Sequence, residues 1–230
     1  MITVISLGGS IVAPDRVDEP VVKDLISLIR MFLEEESQRR FILVVGGGGP
    51  ARIWQQAYRS ISGTAVSPEQ ADWIGIMATR LNAELIRGIL GPWCTQAVVT
   101  DPTQAVLEGR VLVAAGWKPG FSSDYDAVLL AERFKADKVI NLSNIERIYT
   151  DEPRTHPEAK PIDTISWAEF RTLVGDDEWV PGKHVPFDPI ASRHAAHISL
   201  PVICAAGRNL ENVKKILRGE SFIGTTIGPL

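Results

Sequence analysis

Apolar positions along the chain come in two kinds of run that take turns. Short continuous runs rich in β-branched residues occur at Ile2–Leu7, 41–45, 96–100, Val111–Ala114, 138–142 and 202–205. Runs this short, flanked by turn formers and without polar alternation, are the pattern of strands buried on both faces of a sheet. Between them lie stretches with apolar residues three and four apart. In 21–35, Leu25, Leu28, Ile29 and Phe32 share one helical face. Helices are likewise predicted over 50–60, Pro68–Leu90, 125–135, Trp167–Val174, Pro189–His197 and 210–217. Pro50 stands in the first turn of its helix, where a missing N–H costs nothing. Residues 149–164 and 175–186 are rich in Pro, charge and turn formers and read as loops, and 222–227 reads as a final edge strand.

Strand–helix alternation of this kind predicts an α/β three-layer sandwich, with a mainly parallel central sheet between helices. No internal repeat or flexible linker interrupts residues 1–230, so one domain is expected, with two lobes meeting near Gly109.

In open α/β sheets, ligands sit at the carboxyl ends of the strands. Four predicted strands end there in Gly, Ser or Asn: Gly8-Gly9-Ser10, Gly46-Gly47-Gly48-Gly49, the segment Gly116-Trp117-Lys118-Pro119-Gly120-Phe121-Ser122-Ser123-Asp124, and Ser143-Asn144. One glycine pair after a strand is usually a turn. Several along one sheet edge let backbone N–H groups approach anions closely, and suggest a groove for two phosphate-bearing substrates. No Gly-x-x-x-x-Gly-Lys-Ser/Thr occurs, which excludes the common P-loop. Gly46-x-Gly48-x-x-Ala51 imitates a dinucleotide fingerprint, but the acidic residue about 20 positions on should end a strand. Asp72 instead lies in helical sequence.

Composition narrows the class further. Apolar residues make up 45% of the chain, which suits a packed core. A formal charge of −4 argues against a nucleic-acid binder. Cys94 and Cys204 fit no metal or redox spacing and are expected as buried free thiols. The opening MITVISLGGSIV has no basic stretch and breaks at Gly8-Gly9, unlike a secretory signal, and no run has the roughly 20 apolar residues of a membrane span. A cytoplasmic location is expected. Of the four histidines, only His194 and His197 have metal-like spacing, and surface positions are the default for both.

Several segments in this order resemble the uridylate kinases of the archaeal type, within the amino-acid kinase superfamily. They are Gly8-Gly9-Ser10; VVGGGGPAR at 44–52; D-x-x-G-I-x-x-T-R-x-N-A from Asp72 to Ala83; PGFSSD from Pro119 to Asp124; NLSNIERIYTDEP at 141–153; and GTTI from Gly224 to Ile227. The resemblance spans nearly the whole length. It implies the amino-acid kinase (carbamate kinase-like) fold, an acceptor lobe over roughly 1–109 and an ATP lobe over roughly 110–230. It also implies transfer of a phosphoryl group from ATP to UMP, with Mg²⁺ accompanying ATP. Gly8, Gly9 and Ser10 would lie at the ATP β/γ-phosphates, and Gly47 at the UMP phosphate. Gly48 and Arg52 would lie at the transferring group, and Asp72 at the UMP ribose. Trp117, Lys118, Pro119, Gly120, Phe121, Ser122 and Ser123 would wrap the UMP base and phosphate. Ser143, Asn144, Tyr149 and Glu152 would line the ATP nucleoside pocket.

Each assignment stands beside a plainer one. Arg52 also reads as a solvated helix residue, Asp72 as an early-helix acid, and Trp117, Phe121 and Tyr149 as packing aromatics. Asp124 is placed to cap the helix beginning at Tyr125 as well as to act in the site. There are departures too. Ser6 stands where many superfamily members have a lysine, and Glu146-Arg147 replaces the family's Asp-Gly.

The chemistry asks little of a base. A nucleoside monophosphate has a second phosphate pKa near 6, so its oxygen is already a nucleophile at pH 7. Catalysis is positioning plus charge neutralisation. Arg52 is the first cation candidate, with Lys118 and Lys183 behind it. Kinases of small carboxylates, carbamate or isoprenyl phosphate are the competing readings, together with a non-catalytic oxyanion or nucleotide binder kept open by Ser6. A homo-oligomer, a hexamer by resemblance, is expected, with some of the six tryptophans available for interfaces.

Overall fold

The computed structural model describes residues 1–153, 155–175 and 185–228. Strands β1 (Ile2–Leu7), β2 (Arg40–Val45), β3 (Val111–Ala114), β4 (Val139–Ser143), β7 (Thr164–Ser166), β8 (Val202–Ala206) and β9 (Thr225–Gly228) form one sheet in the order β3-β2-β1-β4-β8-β9-β7. The five strands from β3 to β8 run parallel, with Ile5 of β1 level with Leu43 of β2 and Ile140 of β4. Their carboxyl ends therefore share one edge. Only the β8–β9 pairing in this sheet is antiparallel.

Side-chain alternation sends Phe41, Leu43 and Val45 of β2 to one face and Ile42 and Val44 to the other, all of them sealed from solvent. On the first face lie α2 (Glu19–Glu35), α4 (Pro68–Leu90) and α8 (Leu210–Arg218); on the second lie α5 (Ser123–Phe134), α6 (Trp167–Val174) and α7 (Pro189–His197). This is the three-layer sandwich with a mainly parallel sheet. α1 (Gly9–Val12) is a single turn after β1, and α3 (Gly48–Ser62) packs on α4 rather than on the sheet. Cys94 and Cys204 are buried and unpaired.

Four expectations need correction. Residues 96–100 form no strand: Val99 alone bridges to Ala114. The Gln96 amide turns back to Val106 O, and Pro102, which has no N–H, opens a 3₁₀ turn capped by Asp101. The last strand starts at Thr225, because Asn212 ties down both backbone groups of Ile223, and β7 rather than β9 is the outer strand. The stretch read as loop over 149–164 holds most of a two-stranded antiparallel ribbon, β5 (Ile148–Tyr149) with β6 (Pro161–Ile162), and leads into β7. Helices α3 and α5 each begin two residues earlier than Pro50 and Tyr125 suggested. Nine residues of the predicted loop 175–186, including Lys183 and His184, lie outside the described residues.

The sheet also crosses the boundary drawn at Gly109. β3 follows it in sequence, yet pairs with β2 on the edge that the first half builds.

Candidate active site

The glycine loops after β1 and β2 touch backbone to backbone. A Cβ on Gly9 would collide with the backbone of Gly48, and one on Gly46 would lie 2.5 Å from Gly9 N. Gly48 also has φ +65°, a conformation that side chains resist. Asn82 of α4 holds the second loop by donating from Nδ2 to Gly46 O at 2.9 Å and to Gly47 O at 3.1 Å. Gly9 and Ser10 open α1, so their N–H groups have no acceptor within the helix. In the first turn of α3, Gly49 N–H goes to Ala13 O and Pro50 has none, which leaves the Gly48 N–H. The N–H groups of Gly9 and Ser10 thus sit beside that of Gly48, with the two loops in backbone contact. Arg52, one turn into α3, is exposed, and its Nη2 donates to Pro14 O at 2.8 Å.

The loop after β3 hangs from α4 and α5 by its backbone. Gly116 N–H donates to Thr79 Oγ1 at 2.8 Å, and Trp117 N–H to Asp126 Oδ2 at 3.2 Å. Arg80 Nη2 donates to Gly116 O at 3.3 Å and to Trp117 O at 3.2 Å. Gly120 N–H reaches Asp72 Oδ2 at 2.9 Å. Asp72 is buried and its Oδ1 has no protein partner among the described residues; burial raises its pKa, against the pull of the Gly120 N–H and Arg59. Trp117, Phe121 and Tyr125 form a row of rings, with centroids 5.4 Å and 4.7 Å apart. Lys118 Nζ lies 3.8 Å from the Trp117 ring centroid. Pro119, Gly120 and Ser123 continue this wall into α5.

The N-cap of α5 is Ser122, whose Oγ accepts from Tyr125 N–H; this corrects the capping role read for Asp124. Asp124 lies in the first turn instead. Its Oδ1 accepts the Ser6 hydroxyl at 2.8 Å and its Oδ2 the Asp188 N–H at 3.3 Å. The position that carries a lysine in many relatives by resemblance is thus a neutral donor to Asp124. Burial pushes the Asp124 carboxyl up to about 6, and the nearby Asp188 adds to the shift. Burial likewise pushes Asp126 up to about 8, with Asp124, Asp101 and Asp188 contributing in the same direction. Ser122, Asp124, Asp126 and Asp188 form one hydrogen-bonded and electrostatic cluster beneath the loop.

On the other side of β1, a cavity of 760 Å³ opens beside β4 and β5, lined among others by Asn144, Tyr149, Glu152, Leu173 and Pro186. Ser143 ends β4 next to Asn144 of the lining, its Oγ accepting the Ile145 N–H at 3.3 Å. The site residues inferred from the sequence therefore cluster along one sheet edge, with the glycine contact between the cavity and the β3 loop. Asp72 comes to that edge from the helix behind it. His194, by contrast, pairs with Glu132 at 2.7 Å on the outer side of α5.

The amino acid kinase family model matches residues 1–205. A uridylate kinase of Methanospirillum hungatei is 36% identical over 227 residues, covering 97% of this chain and 93% of that one. The chain belongs to the amino acid kinase family, in its uridylate kinase branch. A uridylate kinase of Thermoplasma volcanium is 32% identical, with 97% and 96% coverage. Among solved structures, the uridylate kinase of Archaeoglobus fulgidus superposes with a TM-score of 0.82 at 30% identity, covering 99% of this chain and all of that one. The aspartate kinase of Synechocystis shares the fold at TM-score 0.71 and 19% identity.

Reading the sequence assigned no role to Thr79, Arg80, Asn82, Asp126 or Asp188. A signal for two of them, Thr79 and Asn82, was present. Asp72, Thr79 and Asn82 recur at spacings of seven and three, which puts polar groups in line on the α4 face that otherwise buries Ile76, Ala83 and Ile86. Asp126 and Asp188 carried no such signal, because both look like ordinary acids at helix starts.

Proposed function

We propose that this chain transfers the γ-phosphoryl group of ATP to UMP, giving UDP and ADP. A phosphate oxygen of UMP attacks the γ-phosphorus as the bond to the β,γ-bridging oxygen breaks, and ADP leaves. The observation that carries the reading is the backbone contact between the β1 and β2 glycine loops, which sets the N–H donors of Gly9 and Ser10 beside that of Gly48. A nucleoside-sized cavity lies on one side of it, and the β3 loop with Asp72 on the other. The names of the relatives agree with it.

ATP takes the cavity beside β4, its phosphates running to Gly8, Gly9 and Ser10. UMP takes the β3 loop, with its phosphate at Gly47 and its ribose hydroxyls at the buried, unpartnered Oδ1 of Asp72. Mg²⁺ would accompany ATP and supply charge neutralisation on its phosphates, held mainly by ATP itself with few or no direct protein ligands. Arg52 gives up an exposed bond to Pro14 O and turns to the transferring group, while Lys118 approaches the UMP phosphate from its ring face. Asp124 lies beside the β1 loop, where it accepts the Ser6 hydroxyl. The enzyme works in the cytoplasm as a homo-oligomer.

The deciding experiment couples ADP release to a panel of acceptors. UMP should drive turnover and purine monophosphates should not. Turnover with carbamate, a small carboxylate or isoprenyl phosphate but not UMP would overturn the reading, as would ATP binding without turnover on any acceptor. Arg52→Ala should slow turnover by roughly 10²–10³, the usual loss for one charged group at a transferring phosphoryl. A rate within about threefold of wild type would remove Arg52 from the mechanism.

A further inference from the structure

The β3 loop contains the proposed acceptor wall, yet few of its own side chains hold it in place. Its first two residues are fixed by three side chains from outside. Thr79 takes the Gly116 N–H, Arg80 bridges the Gly116 and Trp117 carbonyls, and Asp126 takes the Trp117 N–H. Two further features make this more than incidental packing. Arg80 also lies with its guanidinium 5.8 Å from the Trp73 ring centroid, so it spans from α4 to the loop at a set distance. Asp126 is fully buried, with no counter-charge bonded to it; the charged groups that act on it are Asp124 on its own helix, Asp101 before the 3₁₀ turn and Asp188 at the start of α7, all acidic. A buried acid surrounded only by acids is a costly choice for mere filling.

We infer that Thr79, Arg80 and Asp126 are positioning residues for the phosphoryl acceptor, fixing the backbone at Gly116-Trp117 from which the wall of Trp117, Lys118 and Phe121 projects. The inference rests on the acceptor reading above. None of the three need touch the acceptor. Asp126 works as an uncharged carboxyl group near neutral pH, since its acidic neighbours and burial hold the proton on. Its carbonyl oxygen still accepts the Trp117 N–H in that state, and an asparagine at 126 supplies the same acceptor with the same shape. Farther along, Gly120 N–H on Asp72 ties the loop to the carboxylate proposed to read the ribose. The loop is therefore held near both ends, and what is fixed between them is the placement of the rings.

The test compares wild type with Asp126→Asn, Asp126→Val, Thr79→Val and Arg80→Met. Two quantities are read: KM for UMP and ATP with kcat, and hydrogen exchange of the amides at 116–120. Losing one hydrogen bond to the loop should raise KM for UMP about tenfold in Asp126→Val and Thr79→Val, with kcat and KM for ATP within about threefold. Exchange at 116–120 should accelerate in the same variants. Asp126→Asn should restore both readouts to near wild type. Unchanged KM for UMP and unchanged exchange in Asp126→Val would overturn the inference. So would an equal loss in every kinetic parameter alongside a lower melting point, since that is a structural defect. If Asp126→Val does not fold, Thr79→Val and Arg80→Met decide by the same criteria. If wild type does not use UMP, the proposed function fails on its own assay, while the exchange arm still reports whether these residues fix the loop.

Discussion

Asp72 is the residue on which acceptor binding and loop placement converge. One carboxylate oxygen holds Gly120 and the other is buried without a partner among the described residues. Asp72→Asn keeps the shape but weakens the acceptor for ribose hydroxyls, so KM for UMP should rise by about tenfold while kcat falls less. An unchanged KM would leave Asp72 as a loop anchor alone. The two carboxyls beneath the loop make a separate prediction. Asp124 and Asp126 titrate near 6 and near 8 in the fold, against about 4 in an unfolded chain. From about pH 4 upward the native state binds more protons than the unfolded one, so stability falls as pH rises, first through the Asp124 range and then through that of Asp126. The thermal midpoint should decline between about pH 5 and pH 8, and Asp126→Asn should flatten the portion above about pH 6. A wild-type midpoint that climbs over that interval would contradict the burial of these acids.

At the scale of elements, α5 shows how a local signal was legible and where it misled. The sequence Phe121-Ser122-Ser123-Asp124 offers three plausible caps in a row. The one used is Ser122, because its β-region backbone places Oγ under Tyr125 N–H. That commits a hydroxyl that also looked available to a uracil edge. Ser122→Ala should therefore cost about 1 kcal/mol of stability through the lost cap, whereas Ser123→Ala should leave stability alone and change the kcat/KM ratio of UMP to CMP. A variant carrying both changes that loses only the stability lost in Ser122→Ala, with no change in base preference, would reduce the pair to a capping role. The central strands and long helices were readable because their burial is written in composition and period. The ribbon of β5 and β6 was not, since its two-residue strands sit in Pro-rich, charged sequence whose pairing comes from tertiary contacts. The false strand at 96–100 had the right composition, but its neighbouring Gln96 and Pro102 take the backbone elsewhere. Among site residues, the glycine loops were readable from position after a strand. Asp126 and Asp188 became visible only when folding buried them.

For the whole molecule, the outer face of α3 and α4 matters most. α3 buries only Gly49 and leaves Ile53, Trp54 and Ile61 exposed, the last at 86%; α4 exposes Met77 and Leu81. Single exposed apolar residues are ordinary, but with Ile89 of α4 there are six on two helices that pack together, more than scattered exposure accounts for. Light scattering should give at least a dimer, and Trp54→Glu with Ile61→Glu should shift it toward monomer. A monomeric wild type would remove the oligomer from the proposal. The contact between the two glycine loops has a different kind of consequence. Where donor and acceptor phosphates are proposed to meet, the chain presents glycine main chain, and a methyl group on any of the glycines from Gly8 to Gly9 or Gly46 to Gly49 would collide with its neighbours. Natural variation then has almost nothing to work on at the reaction centre. Any lineage that drifts toward another acceptor must do so from the periphery, through the wall after β3 and the helix behind it.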